Sequence, residues 1–279
     1  VTAFLLPTLS GAQQAREDLD DRGYIQAFLE DNLSDLGRDI RIIGFAGALS
    51  SKATIEQITI ADEAGIWLTL NGVELSWSRS ALLSGRIDID VLSAREILLP
   101  RRPLAVSGAP APEAGGFSFP ELPVSIDIAK IRADRVEIGA PVMGAAASLS
   151  LQGEAHLNGG KASADVTITR TDGPKGVLSL KGAYSNTDKM LDLALNLEEG
   201  PDGIAANLLG LPGRPSTKLT AAGAGPVQNF KADIALATDG KERLTGQVFL
   251  LGGEPDPTEN TASDQRFRAS ISGDIAPVF

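Results

Sequence analysis

Chemistry on a protein surface needs groups that exchange protons, attack carbon or phosphorus, or hold a metal, and this chain is poor in them. Cysteine is absent and histidine occurs once, at His156. That removes thiolate nucleophiles, disulfides, Cys/His zinc centres and any arrangement needing two imidazoles. His156 lies in Gly153-Glu154-Ala155-His156-Leu157, on what alternation makes the outer side of a strand, where an imidazole is a surface group. Carboxylates remain. Asp88 and Asp90 alternate with Ile87 and Ile89, so they share a solvated strand face rather than converge as an acid–base pair. Asp256, Glu259 and Asp264 gather oxygen donors in one loop without the spacing of a calcium loop. No Gly-x-Ser-x-Gly elbow, Gly-x-x-x-x-Gly-Lys phosphate loop or His-Glu-x-x-His zinc motif occurs. The chain therefore reads as non-enzymatic, with no catalytic residue, no metal ligand and no cofactor.

Composition narrows the partners. The 279 residues carry a formal charge of −11, which repels phosphate backbones and argues for no nucleic acid. The same sign disfavours adsorption to anionic headgroups and leaves acyl-chain contact to apolar side chains. At 43% hydrophobic residues a core or an extended apolar surface is easily supplied. The absence of cysteine is neutral about compartment.

The elements follow from periodicity. Residues 1–15, opening Val1-Thr2-Ala3-Phe4-Leu5-Leu6-Pro7, read as the remnant of a signal peptide or membrane anchor. Residues 16–37 hold a charged segment and an amphipathic helix, with Tyr24, Ile25, Phe28, Leu29, Leu33 and Leu36 at helical spacing and Gly37 as its stop. Asp31, Glu30 and Asp35 on the polar face favour a plug for the end of a sheet over a membrane-surface helix. From residue 38 the period becomes two. Runs such as Ile58 and Ile60, Ile66 to Leu70, Val73 to Trp77 and Ile87 to Val91 predict half-buried strands over 38–99. Asp62-Glu63-Ala64-Gly65 and Asn71-Gly72 read as turns, the second as a two-residue hairpin loop, so sequential strands should form an antiparallel meander. Ser80 to Leu83 predicts one helical turn. Residues 100–123, with six prolines, form a Pro/Gly-rich loop. Strands resume over 124–279, interrupted by a short helical pattern at Ile204, Leu208 and Leu209 and by an acidic loop from Gly252 to Asp264.

Roughly 15 to 20 short strands in series exclude βαβ architecture and leave sandwich, barrel, propeller or open groove. Two features lean towards a groove. Aromatics are only 5% of the chain, and later strands set Leu beside Ala and Gly at inward positions.

Ile58-Thr59-Ile60-Ala61-Asp62-Glu63-Ala64-Gly65-Ile66-Trp67-Leu68, followed by Leu75-Ser76-Trp77-Ser78-Arg79-Ser80-Ala81-Leu82-Leu83-Ser84-Gly85-Arg86-Ile87, resembles the N-terminal portion of the TamB family. These are inner-membrane subunits of the translocation and assembly module, within the AsmA-like, bridge-like lipid transfer superfamily. A glycine-bounded strand such as Ile42-Ile43-Gly44-Phe45-Ala46-Gly47 occupies the matching position. Asp202 to Gly213 and Gly223-Ala224-Gly225-Pro226 are similar to alphaproteobacterial members. The distinctive part covers about 60 to 100 residues, and strand-rich repeats match one another readily.

The resemblance implies an all-β, elongated antiparallel β-groove, taco-like with a hydrophobic interior, a short N-terminal helix and minor helical turns. It further implies a periplasmic protein anchored to the inner membrane by an N-terminal segment. Its partners would be phospholipid acyl chains and an outer-membrane barrel, TamA, met through a C-terminal region that family members carry beyond this length. The work implied is phospholipid transport between inner and outer membrane, outer-membrane protein assembly, or both. On this reading Ile58, Ile60, Leu68, Leu70, Leu75, Ile87, Ile89, Val91, Ile126, Ile128, Leu149, Leu151, Val166 and Ile168 line the groove. The competing expectations are a closed β-sandwich of adhesin-like type, in which the same residues are ordinary core, and a β-rich hydrolase. Trp77 continues the inward set while Trp67 falls opposite Leu68, both as packing residues.

Overall fold

A computed structural model describes residues 39–47, 51–82, 84–104, 125–251 and 266–272. The expected anchor remnant, the amphipathic helix and the Gly252 to Asp264 loop lie outside the described residues. The described chain is all-β: one open sheet of thirteen strands whose spatial order equals their chain order. The strands are β1 (Asp39–Ile43), β2 (Lys52–Asp62), β3 (Gly65–Ser78), β4 (Arg86–Leu99), β5 (Ser125–Ile138), β6 (Ala147–Asn158) and β7 (Lys161–Arg170). After them come β8 (Gly176–Ser185), β9 (Met190–Glu199), β10 (Thr217–Pro226), β11 (Asn229–Thr238), β12 (Lys241–Leu251) and β13 (Arg266–Ser272). Three helical turns interrupt the meander: α1 (Arg79–Leu82), α2 (Ala140–Met143) and α3 (Ile204–Leu208). Among the described residues no second sheet lies against the first, so the two-sheet sandwich does not describe them.

Every neighbouring pair is antiparallel except β4 and β5, which run parallel. This departs from the uninterrupted meander expected, and the reason lies in the 100–123 loop. A parallel neighbour requires the chain to return along the full strand before pairing again, and that long connection is where the prolines cluster. In every β4–β5 pair the offset is the same 39 residues, from Ile87↔Ile126 to Leu99↔Ile138. On the apolar face of the seam the partners are then apolar throughout: Ile87 with Ile126, Ile89 with Ile128, Leu92 with Ile131, Ala94 with Ala133, Ile97 with Val136 and Leu99 with Ile138.

The strands are fewer and longer than alternation suggests, because their apolar spacing is not strictly two. In β2 the set is Ala53, Ile55, Ile58 and Ile60, and in β3 it is Leu68, Leu70, Val73 and Leu75. Steps of two and three alternate, so each strand slips phase once or more while its neighbours slip with it. Asn71-Gly72 is such a slip. It lies inside β3 rather than in a hairpin, with Gly72 at φ 60°, a left-handed conformation that glycine adopts without strain. From β6 to β11 strict alternation returns, and two β5 register shifts, between Ile128 and Ile131 and between Ala133 and Val136, absorb the difference as bulges; one more shift follows where β12 carries Arg243 as an extra residue against β11. Two of the two-residue loops, Gly159-Gly160 (φ 53° and 70°) and Asp239-Gly240 (φ 51° and 72°), have positive φ at both positions, the backbone shape that matches strand twist.

Helical turn α2 was not foreseen. Its signals were local: Pro141 in the first turn and Gly144 ending it at φ 80°, the usual asymmetry of helix start and stop.

Candidate functional site

Cross-strand partners in a sheet share a face, so register alone locates the apolar surface. Ala53, Leu75, Leu92, Ile131, Gly153 and Val166 are successive partners from β2 to β7. The same row continues through Leu180, Leu195, Ala221 and Ile234 to Gly246 and Ile271. It thus crosses twelve strands without a polar residue. Beside it a second row runs from Ile55 through Val73, Ala94, Ala133, Leu151 and Ile168 to Leu178, Leu197, Leu219, Leu236 and Leu244. Most of these side chains are half-buried, and among the described residues no large side chain is fully buried. In a sealed two-sheet core such residues would be out of contact with water; here the neighbouring strands shield them, and among the described residues no second sheet lies over them.

The opposite face is mostly polar. Gln57 donates to Asn71 at 3.0 Å and Asn71 donates to Glu96 at 2.8 Å, a ladder across β2, β3 and β4. Lys52 pairs with Glu74, Lys181 with Asp165 and Lys218 with Glu198. Such exposed pairs add little stability each but keep that face wet. The Arg135 guanidinium, foremost, and the Ser148 hydroxyl hold Glu137 below the usual carboxylate range.

Thirteen of the fourteen residues expected to line the groove fall on the apolar face. Ile58, Leu70 and Leu149 share one row with Ile97 and Val136, and Ile60 partners Leu68. Leu75 and Val166 lie in the long row, Leu151 and Ile168 in the one beside it. Ile89 partners Ile128 and Ile87 partners Ile126. Val91 does not join them: it partners Ser76, because β4 steps by three between Ile89 and Leu92 and leaves Val91 on the polar side. Trp77 partners Ile89 on the apolar face. Trp67 is the extra residue where β3 slips against β2, and its indole N–H is buried without an acceptor among the described residues. His156 lies on the polar face, its Nδ1 2.8 Å from Asp127 Oδ2. Asp88 partners Asp127 on that same face.

The two ends of the strands differ. At the end where β5 stops and β6 starts, α2 covers the apolar rows with a cluster of Ile138, Val142, Ala147 and Leu149, which Ile204 of α3 joins. Ala206 and Leu211 cover Leu236, Leu219 and Leu244 in a second cluster. Below these turns the last row on the apolar face becomes polar: Leu149 is followed by Arg170, Gly176, Glu199, Thr217 and Thr238. These groups are satisfied locally. Arg170 Nε donates to Asp172 at 2.6 Å, Glu199 accepts the Ala205 N–H at 2.6 Å and Arg243 donates to Thr238 at 2.9 Å. Asn207 reaches the Met143 carbonyl at 3.4 Å and links α3 to α2. Sequence reasoning passed over this row because Arg170 and Glu199 look like solvent residues closing their strands. Only register places them at the end of an apolar face.

The same rim carries a charge clamp. Arg101 donates to both oxygens of Asp62, at 2.9 and 2.5 Å, and to the Gly65 carbonyl at 2.6 Å. Arg102 donates to the Val142 carbonyl at 2.9 Å. With its side chain only 8% exposed, Asp62 is held far below the usual carboxylate range, first by Arg101 and then by the N–H groups of Leu104 and Ala64. A lowered native pKa adds stability that is complete above the unfolded value near 3.9 and declines as pH falls below it. Carbon-13 NMR of the Asp62 carboxyl is expected to show it still ionised at about pH 3, where free aspartates are mostly protonated; titration alongside the other aspartates would refute the clamp.

At the opposite rim the apolar face deepens into a concavity of about 370 Å³, lined by Ile126, Ile128, Leu157, Ala162, Tyr184 and Leu191 among others. Its floor is low because Ala155, Ala164 and Gly182 follow Ile128 in register. Among the described residues no cluster of His, Asp and Glu is arranged to hold a metal ion, and no helix is long and apolar enough to cross a membrane. Comparison of the chain with protein-family models, with curated proteins and with solved structures finds no match.

Proposed function

We propose that this chain is a non-enzymatic, TamB-like cell-envelope biogenesis factor whose sheet forms a periplasmic hydrophobic groove for phospholipid acyl chains. The observation that supports the reading is the apolar row crossing twelve strands, over which no second sheet lies among the described residues. Each methylene moved from water onto such a surface gains about 0.8 kcal/mol, while neighbouring positions along the rows differ little. A chain can then slide without release, its headgroup in solvent. Strands about 4.8 Å apart make the rows a graded path across the sheet. By the resemblance set out above, the protein is anchored in the inner membrane and works with a TamA-like outer-membrane barrel. Phospholipid transport between the membranes, outer-membrane protein assembly, or both, is the function so inferred.

Photocrosslinking in cells tests it. A photoreactive residue at Ile89 or Leu151 is expected to yield phospholipid adducts, whereas one at Asn196 on the polar face yields none. Absence of adducts at several apolar-face positions would refute the reading.

A further inference from the structure

We propose that the apolar face over β2–β4 seats a segment of this same chain, residues 105–124, which crosses it once on the way from β4 to β5. The inference goes beyond the proposed function and does not rest on it. Its first ground is the hand of the parallel seam. The Leu99 side chain packs against the apolar cluster of Ile138 and Leu149, while its carbonyl accepts the Gly139 N–H at 2.9 Å across the seam. Gly85, two residues before Ile87, likewise accepts the Ser125 N–H at 3.2 Å. In an extended strand of L-residues running upward, a residue whose side chain points at the viewer turns its N–H and C=O to the right. Seen from the apolar face, β5 therefore lies to the right of β4. Connections between parallel strands are right-handed in about 98% of cases, and a right-handed connection that moves to the right passes on the viewer's side. The viewer's side here is the apolar one.

The ends of the segment and its composition agree with that path. Arg102 reaches the Val142 carbonyl of α2, itself packed on the apolar face, and the Leu104 N–H is held by Asp62 at 2.8 Å. The chain is next described at Ser125, beside Arg86 at the opposite rim. Because β4 has 14 residues, the rims stand about 45 Å apart, and an extended chain of the length of 105–124 reaches about 65 Å. One direct pass fits. Between these points the sequence has no Lys or Arg, two Glu and four Pro, with Val106, Phe117, Phe119, Leu122 and Val124 as its large apolar residues. The two faces would receive it differently. On the polar face lie the Gln57–Asn71–Glu96 ladder and the Lys52–Glu74 and Arg86–Asp88 pairs, from which phenyl rings would exclude water at a cost. On the apolar face Ile58, Leu70 and Leu75 are half-buried, and each ring laid on them leaves water itself. Proline has no N–H to leave unpaired there, and a polyproline-like pass keeps its other backbone groups towards solvent.

The full chain, which has no cysteine, suits the test. A photoreactive residue at Leu75 on the apolar face is expected to crosslink to peptides from 105–124, and one at Glu74, which pairs with Lys52 on the polar face, is not. A single Leu75→Cys should react with a maleimide about tenfold faster once 105–124 is replaced by a glycine-serine linker of equal length, whereas Glu74→Cys reacts at one rate in both. Crosslinks from Glu74 to the segment, or equal rates for Leu75→Cys in a folded linker chain, would overturn the proposal. Should the linker chain fail to fold, the crosslinks decide alone. Adducts of Leu75 with phospholipid and none with 105–124 would overturn it and leave the groove standing; crosslinks to a second copy alone would overturn it as well.

Discussion

A Leu195→Glu chain is expected to lose phospholipid adducts on both sides of β9, at Ile128 as well as at Ile234, while remaining folded. Leu195 lies in the long apolar row between Leu180 and Ala221. A carboxylate there recruits water onto the face and breaks the row at its middle. Displacing about four methylenes of bound hydrocarbon forfeits about 3 kcal/mol, or more than a hundredfold in occupancy. Leu195 is only half-buried among the described residues, so the carboxylate reaches solvent and escapes the full penalty of a buried charge. Asn196→Glu, one residue along on the polar face, is the matched control and should change nothing. Adduct yield at Ile128 and Ile234, read by mass spectrometry, measures the effect; yields equal to those of the parent chain would show that hydrocarbon does not follow these rows.

The second large effect concerns the sheet itself. A Cβ at Gly223 would stand 2.1 Å from the Lys231 carbonyl oxygen, with the next backbone atoms within 3.0 Å. The obstacle is main chain of β11, so no side-chain rotation relieves it. Gly223→Ala should therefore cost about 1–3 kcal/mol, lowering Tm by several degrees at about 2–4 °C per kcal/mol for a chain of this size. Gly225→Ala, two residues further on the same strand, meets nothing nearer than 3.9 Å and should be neutral. Calorimetry on the pair separates close strand approach from the general loss of a glycine; equal Tm values would remove the steric argument.

How much of this could be read from residue order depends on the element. The all-β class, the turn at Asp62 to Gly65, the helical turn before Gly85 and the one at Ile204 followed local rules, because periodicity and Gly or Pro punctuation act over a few residues. Thirteen of the fourteen apolar-face positions were legible for the same reason: each short run has a clear inward side. The phase slips were not. Nothing within β4 alone says that Ile89 and Leu92 face the same way while Val91 does not; the neighbours Ile128 and Ile131, 39 residues on, impose it. Asn71-Gly72 misled by the same route. The dipeptide suits a hairpin as well as Asp239-Gly240 does, and only the continuing partners of β3 in β2 and β4 decide that it stays within a strand. The buried polar row of Arg170, Glu199, Thr217 and Thr238 is likewise a product of register across four hairpins, beyond what one strand displays.

The parallel seam between β4 and β5 has a bearing on how such a sheet can grow. An antiparallel hairpin inserted alone reverses the chain twice, and its strands must keep step with both neighbours or present their charged side where the hydrocarbon should lie. At the seam one strand simply repeats the other's spacing at a constant offset, Ile87 over Ile126 through Leu99 over Ile138. A block of strands beginning and ending with that spacing can be spliced in there with its oily side already aligned. Such a splice would lengthen the span by about 4.8 Å per strand, so the reach of the molecule becomes a matter of counting blocks rather than redesigning any one of them.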